Sequence, residues 1–148
     1  MSVNIITDLA VLGIAHQGPI TINQIASVAK SLVPELWSPT ISVIDAAARR
    51  NYQTGNLTKE KKEERSLLLK LTDTGRGQLQ RLLLCDPGEL VSPATQAVEA
   101  IQFCLLDTAS PPTTEMVLTR MQDRQKKRLA NLRIRCLNCP HDGRYMNL

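Results

Sequence analysis

The chain has 148 residues, 43% of them hydrophobic and 22% charged, with a formal net charge of +4 and aromatics at only 3%. Such a balance belongs to a folded chain rather than a disordered one, and a core built from Leu, Ile, Val and Ala suits helices. No apolar run approaches the roughly eighteen residues of a membrane span, and the first residues lack the basic region and small-residue cleavage pattern of a signal peptide. A cytoplasmic protein with no membrane partner is therefore expected.

The charge is segregated along the chain. Residues 1–84 carry ten Lys or Arg against seven Asp or Glu, residues 85–111 carry none against four, and residues 112–148 carry eight against three. A basic N-terminal part can neutralise phosphates and the acidic middle cannot. In the basic tail, Arg124, Lys126, Lys127 and Arg128 are nearly consecutive. They form either the solvated face of a long helix or an auxiliary phosphate contact.

From Val3 to Ala15, Val3, Ile6, Leu9, Ala10, Leu12 and Ala15 recur at helical spacing, and Gly18 with Pro19 stops the run. Thr21 and Gln24 form a capping box ahead of a second helix with Ile25, Val28, Ala29 and Leu32, reaching about Val33. Ser38 as N-cap with Pro39 at the first helical position opens a third helix. Its buried stripe is Ile41, Ile44, Ala47 and Ala48, and Asn51 ends it in the left-handed conformation. Away from that stripe lie Thr40, Ser42, Val43, Asp45, Ala46, Arg49 and Arg50. Tyr52 to Leu57 reads as a strand with Thr54, Gly55 and Asn56 as bend residues, and Lys59 to Arg65 as a charged tip. A short helix with Glu and Lys pairs is the alternative for that tip. Leu67, Leu69 and Leu71 then alternate with Leu68 and Lys70 as a second strand. Thr72 caps a following helix, and Asp73 puts negative charge at the positive end of its dipole.

Three helices, a hairpin and a closing helix predict a mainly α fold: a winged helix-turn-helix of three helices plus a two-stranded wing, over residues 1–84. The run Leu71, Thr72, Asp73, Thr74, Gly75, Arg76 at the end of the second wing strand resembles the PadR-like winged-helix transcription regulators. Gly18 before the second helix matches that family, and Ile41, Ile44 and Ala47 stand where it usually carries Tyr, Leu and Leu. Asn51 stands where Gly is common, and the usual Tyr residues are absent. MarR-like regulators share the Leu, Thr, Gly, Arg wording but usually add an N-terminal helix. The resemblance implies a dimer that reads a palindromic double-stranded DNA operator with the third helix and wing, without a cofactor and without catalysis. On that footing Ser38, Thr40, Ser42, Val43, Ala46, Arg49 and Arg50 on the third helix, with Lys59, Lys61, Lys62 and Arg65 on the wing, are the expected DNA contacts.

After a linker at Cys85 to Val91, Ser92 and Pro93 start a helix with Ala97, Val98, Ile101, Cys104 and Leu105 on one side, ending before Pro111 and Pro112. A longer helix follows. Its Leu118, Met121, Gln125, Leu129, Leu132 and Cys136 advance by three or four residues, the seam of a helix that packs along another. Residues 92–140 are thus expected to be a C-terminal helical dimerisation segment, with Leu118, Met121, Gln125, Leu129 and Leu132 at the homodimer contact; a hairpin burying its own seam is the alternative. Cys136, Cys139 and His141 have part of a zinc ligand set, but no fourth ligand lies nearby. Regulators of this type often take a small-molecule effector near the dimer interface. The C-terminal helices offer only Phe103 for stacking, and Trp37 is expected to pack against the third helix instead.

A different class remains open: a winged-helix protein-protein interaction module without sequence-specific DNA binding. Asp45 on the third helix and a tip from Lys59 to Arg65 whose net charge is only +1 favour it. An enzyme is not expected. His16 and His141 lack neighbours at catalytic spacing, and there is no Gly-rich phosphate loop.

Overall fold

The computed structural model describes residues 4–63, 66–88 and 92–138, and the side chains of all of these but Lys62, Glu63 and Ser66. Among the described residues, six α-helices and one antiparallel hairpin follow in the order α1 (Asn4–Ala15), α2 (Ile22–Leu32), α3 (Ile41–Gln53), β1 (Leu57–Glu63), β2 (Ser66–Leu71), α4 (Asp73–Leu84), α5 (Pro93–Cys104) and α6 (Pro111–Asn138), with one 3₁₀ turn at Leu106–Thr108. The chain is mainly helical. Two compact units are distinguished, Met1–Val117 and Leu118–Leu148. No helix among the described residues is long and apolar enough to cross a membrane.

In the first unit α1 is buried along most of its surface. Ile6, Leu9, Ala10, Val11, Leu12, Ile14 and Ala15 are all buried, and α1 touches α2, α3, α4, α5 and β2. A helix this apolar is stable only when other elements cover most of its surface. Ile25 and Ala29 of α2, Ile44 and Ala47 of α3, Leu57 and Leu69 of the hairpin, Leu79 and Leu83 of α4, and Val98 and Ile101 of α5 complete one aliphatic core. Burial of each Leu or Ile contributes about 1.5–3 kcal/mol.

Local signals set most helix starts. Thr21 and Gln24 make the capping box on α2, Thr72 accepts the Gly75 N–H at 2.9 Å to cap α4, and Ser92 with Thr95 boxes α5 behind Pro93. Two side-chain amides, the buried Gln102 and the half-buried Gln80, tie the later helices together. Gln102 donates to the carbonyls of Leu82 (3.1 Å) and Cys85 (2.8 Å), satisfying the end of α4, while Gln80 donates to the Thr108 carbonyl (3.0 Å) and accepts the Ser110 N–H (3.2 Å).

The hairpin pairs Leu57 with Leu71, Lys59 with Leu69 and Lys61 with Leu67, with an irregularity between Lys61 and Glu63. Ile20, between α1 and α2, adds an isolated bridge to Leu69, each N–H donating to the other's carbonyl. Strand alternation puts Leu57, Lys59 and Lys61 on the same face as Leu71, Leu69 and Leu67. That face is buried at its base and exposed further out.

Several sequence expectations are corrected. The cap of α3 is Thr40 rather than Ser38, and Ile41 is 48% exposed instead of buried. Asn51 does not end α3. It is buried within the helix, which continues to Gln53; Thr54 caps it, and Gly55 at φ +82° makes the turn. Tyr52 therefore belongs to α3, and β1 starts at Leu57. Lys59 to Glu63 lie in β1 rather than at a tip, and the alternative helix does not form, because pairing with β2 decides their conformation. Cys104, placed on the apolar side of α5, is exposed.

Candidate nucleic-acid interface

The α3 helix buries Ile44, Ala47, Ala48 and Asn51, so at 100° per residue Ser42, Ala46, Arg49 and Gln53 occupy the opposite face. All four are exposed, as are Thr40, Ile41 and Val43. Thr40 is partly engaged: its Oγ1 accepts the Val43 N–H at 3.4 Å. Ser38 is exposed in the segment ahead of the helix. Arg49 is 71% exposed and donates from Nη2 to Asp45 Oδ2 at 2.9 Å, one turn back on the same helix.

Arg50 points elsewhere. Its Nη2 donates to the Asp8 carboxylate and to Thr7 Oγ1 (3.3 Å), both on α1. Asn51 Nδ2 donates to Asp8 Oδ1 (2.9 Å) and to the Ala47 carbonyl (2.8 Å), and Asn51 Oδ1 accepts from Asn56 Nδ2 (2.8 Å). The Asn56 carbonyl in turn accepts the Thr72 N–H (3.1 Å), and Thr72 Oγ1 donates to the Gly55 carbonyl (2.6 Å). This chain of bonds runs from α1 through the end of α3 to the root of the hairpin and the start of α4. Arg50 Nε is buried without a hydrogen-bond partner, but the amide, carboxylate and hydroxyl groups named here are bonded, and a shift of α3 would strand them. The geometry makes Arg50 a group that positions α3.

Gly75 completes the junction. A Cβ built there would overlap the Asn56 carbonyl oxygen and lie 2.7 Å from Leu71 Cδ1, so only a glycine lets α4 approach the hairpin root this closely. The Leu71 to Arg76 run thus has a physical basis: strand end, cap, acidic first turn, close approach, and an Arg76 to Asp73 pair at 2.8 Å.

On β1, Lys59 Nζ sits 4.2 Å from the centroid of the exposed Tyr52 ring, which joins α3 to the hairpin across a cation–π contact. Lys61 shares that strand face and is exposed. The structure therefore gathers Ser42, Ala46 and Arg49 on the outward face of α3 and places Lys59 beside the C-terminal end of α3. Arg65 and the side chain of Lys62 lie outside the described residues. Tyr52 was missed in the sequence because its aromatic ring and the Thr54-Gly55-Asn56 turn read as strand; its position three residues after Arg49 was the helical signal.

In the second unit the α6 residues Leu118, Gln125, Leu129, Leu132 and Cys136 are exposed, and Met121 is half-buried. Their steps are three, four, four, three and four, so Leu118 and Leu129, Met121 and Leu132, and Gln125 and Cys136 are each eleven apart. That period keeps the stripe on one side of a nearly straight helix. Cys139 and His141 lie outside the described residues; among those described, no group of three His, Cys, Asp or Glu side chains comes together as a metal site.

No protein-family model matches the chain, and no curated protein shows significant similarity to it.

Proposed function

We propose that residues 4–84 are a winged helix-turn-helix and that the protein is a dimeric DNA-binding transcription regulator of the PadR-like type. In this reading α3 enters the major groove of a palindromic operator, and the β1–β2 hairpin touches flanking phosphates or the minor groove. The observation that carries it is the continuous exposed surface from Ser42, Ala46 and Arg49 through Tyr52 to Lys59, on a helix locked by the Asp8–Arg50–Asn51–Asn56 network. A reading helix must be rigidly aimed while its outward side chains stay exposed to bases and phosphates. The exposed α6 stripe supports the second half of the proposal, since two-fold operators are read by two-fold dimers and apolar residues aligned along one side of a helix suit packing against another helix.

The test is genomic DNA pull-down with the purified protein, followed by gel shifts of the recovered fragments at two salt concentrations. An inverted repeat bound by a dimer and released steeply by salt is expected, because each neutralised phosphate adds about one unit to the salt slope. Recovery no better than random DNA sinks the regulator reading.

One observation favours a second reading, a protein-interaction module. Ile41, Val43 and Tyr52 are large exposed apolar residues on α3, and Asp45 offsets the charge of Arg49. A partner protein captured in preference to DNA, with little salt dependence, is its signature.

A further inference from the structure

Among the described residues of α3, the two arginines have different commitments: Arg50 is bonded to α1, and Arg49 is held at the exposed surface by Asp45. A carboxylate on a helix that meets DNA is at first sight a defect, since it repels phosphates. Here it lies one turn N-terminal to the arginine, the favourable order for an i, i+4 pair, and it engages Nη2 through Oδ2 at 2.9 Å. A guanidinium has five N–H donors in a rigid planar fork, so one bond to Asp45 leaves donors for a second partner while restricting the plane. A guanine edge offers O6 and N7 as paired acceptors for that fork, whereas a phosphate takes an arginine in many orientations.

Resting on the DNA-binding reading above, we propose that Asp45 is a specificity-determining positioning residue that presents Arg49 to a guanine in each half-site. It acts through Arg49 and lowers affinity for duplexes in which Arg49 has no guanine to meet, because the carboxylate then approaches the DNA with a poorly oriented partner.

The experiment selects bound duplexes from a randomised pool with wild-type protein, Asp45→Ala, Asp45→Asn, Arg49→Ala and the double variant Asp45→Ala/Arg49→Ala, after circular dichroism confirms that each is folded. For wild-type protein, one base pair per half-site should show a guanine preference that Arg49→Ala abolishes. Asp45→Ala and Asp45→Asn should each reduce that preference by roughly ten-fold while tightening binding to random duplex, and the double variant should show no preference beyond that of Arg49→Ala. Loss of a repelling charge alone would tighten binding to all duplexes and leave the guanine preference at that base pair unchanged, so the fall in preference is the readout that separates positioning from electrostatics. An operator whose guanine preference is insensitive to Asp45 overturns this inference alone, as does loss of a cytosine preference instead, which would make Asp45 a direct reader. Wild-type protein that selects no sequence overturns the inference together with the reading on which it rests.

Discussion

Two glycines two residues apart in α4 are expected to respond oppositely to the same substitution. At Gly77 a Cβ meets nothing within 4 Å, so Gly77→Ala recovers helix propensity and lowers the entropy of the unfolded chain, stabilising by about 0.5–1 kcal/mol. At Gly75 the same methyl overlaps the Asn56 backbone carbonyl oxygen and crowds Leu71 Cδ1 at 2.7 Å. The carbonyl cannot swing away, because it accepts the Thr72 N–H that joins the hairpin to α4. Overpacking of this kind costs about 1–3 kcal/mol, more than the propensity gain at a first-turn position, so Gly75→Ala should destabilise by about 1–2 kcal/mol. Urea unfolding followed by circular dichroism measures both, and for a chain of this size each kcal/mol moves Tm by about 2–4 °C. If both variants shift stability in the same direction, the close approach of α4 to the hairpin root is refuted.

Asn51→Leu should lower stability by about 2–3 kcal/mol, since it strands the Asn56 amide and removes one partner of Asp8 in a buried network; a loss below 0.5 kcal/mol in the same urea assay would deny that network. Arg50→Ala should destabilise by about 1–2 kcal/mol, discounted for its partial exposure, and a double-mutant cycle with Asp8→Ala should show coupling, whereas additive losses would place Arg50 outside the network. Arg49→Ala should weaken operator binding by about 1–3 kcal/mol and Lys61→Ala should weaken all duplexes alike; equal, sequence-independent losses at both would sink the assignment of α3 as the reader. Replacing Leu129 and Leu132 by Ser should convert a dimer into monomer by light scattering with α1 to α4 still folded, and an unchanged mass would remove the α6 stripe from the interface.

Local chemistry was legible in the sequence and long-range chemistry was not. The caps at Thr21, Thr72 and Ser92 depend on residues three apart, and each forms as its spacing indicates. Asn51 was misread because Asn commonly closes helices, while the partner that keeps it inside α3 is Asp8, 43 positions away. Ser38 ahead of Pro39 carries the usual start signal of a helix, yet the bond from the Val43 N–H makes Thr40 the cap. Lys59 to Glu63 favour helix by propensity, yet the pairing with Ser66 to Leu71 makes them a strand, since that pairing brings Leu57, Leu69 and Leu71 into the core. Of the candidate site, the exposure of Ser42, Ala46 and Arg49 followed from helix periodicity, whereas the turning of Arg50 toward α1 required knowing where Asp8 lies. Tyr52 under Lys59 was likewise hidden, because the contact joins two elements whose boundary the sequence placed five residues too early.

The most direct test of the regulator reading is selection of duplexes from a randomised DNA pool by the purified 148-residue chain, with the stoichiometry of the selected complex measured by sedimentation. Two protein chains on one inverted-repeat duplex, with affinity falling steeply as salt rises, is the predicted result. A pool that remains random after selection, or a single chain bound without sequence preference, would contradict it.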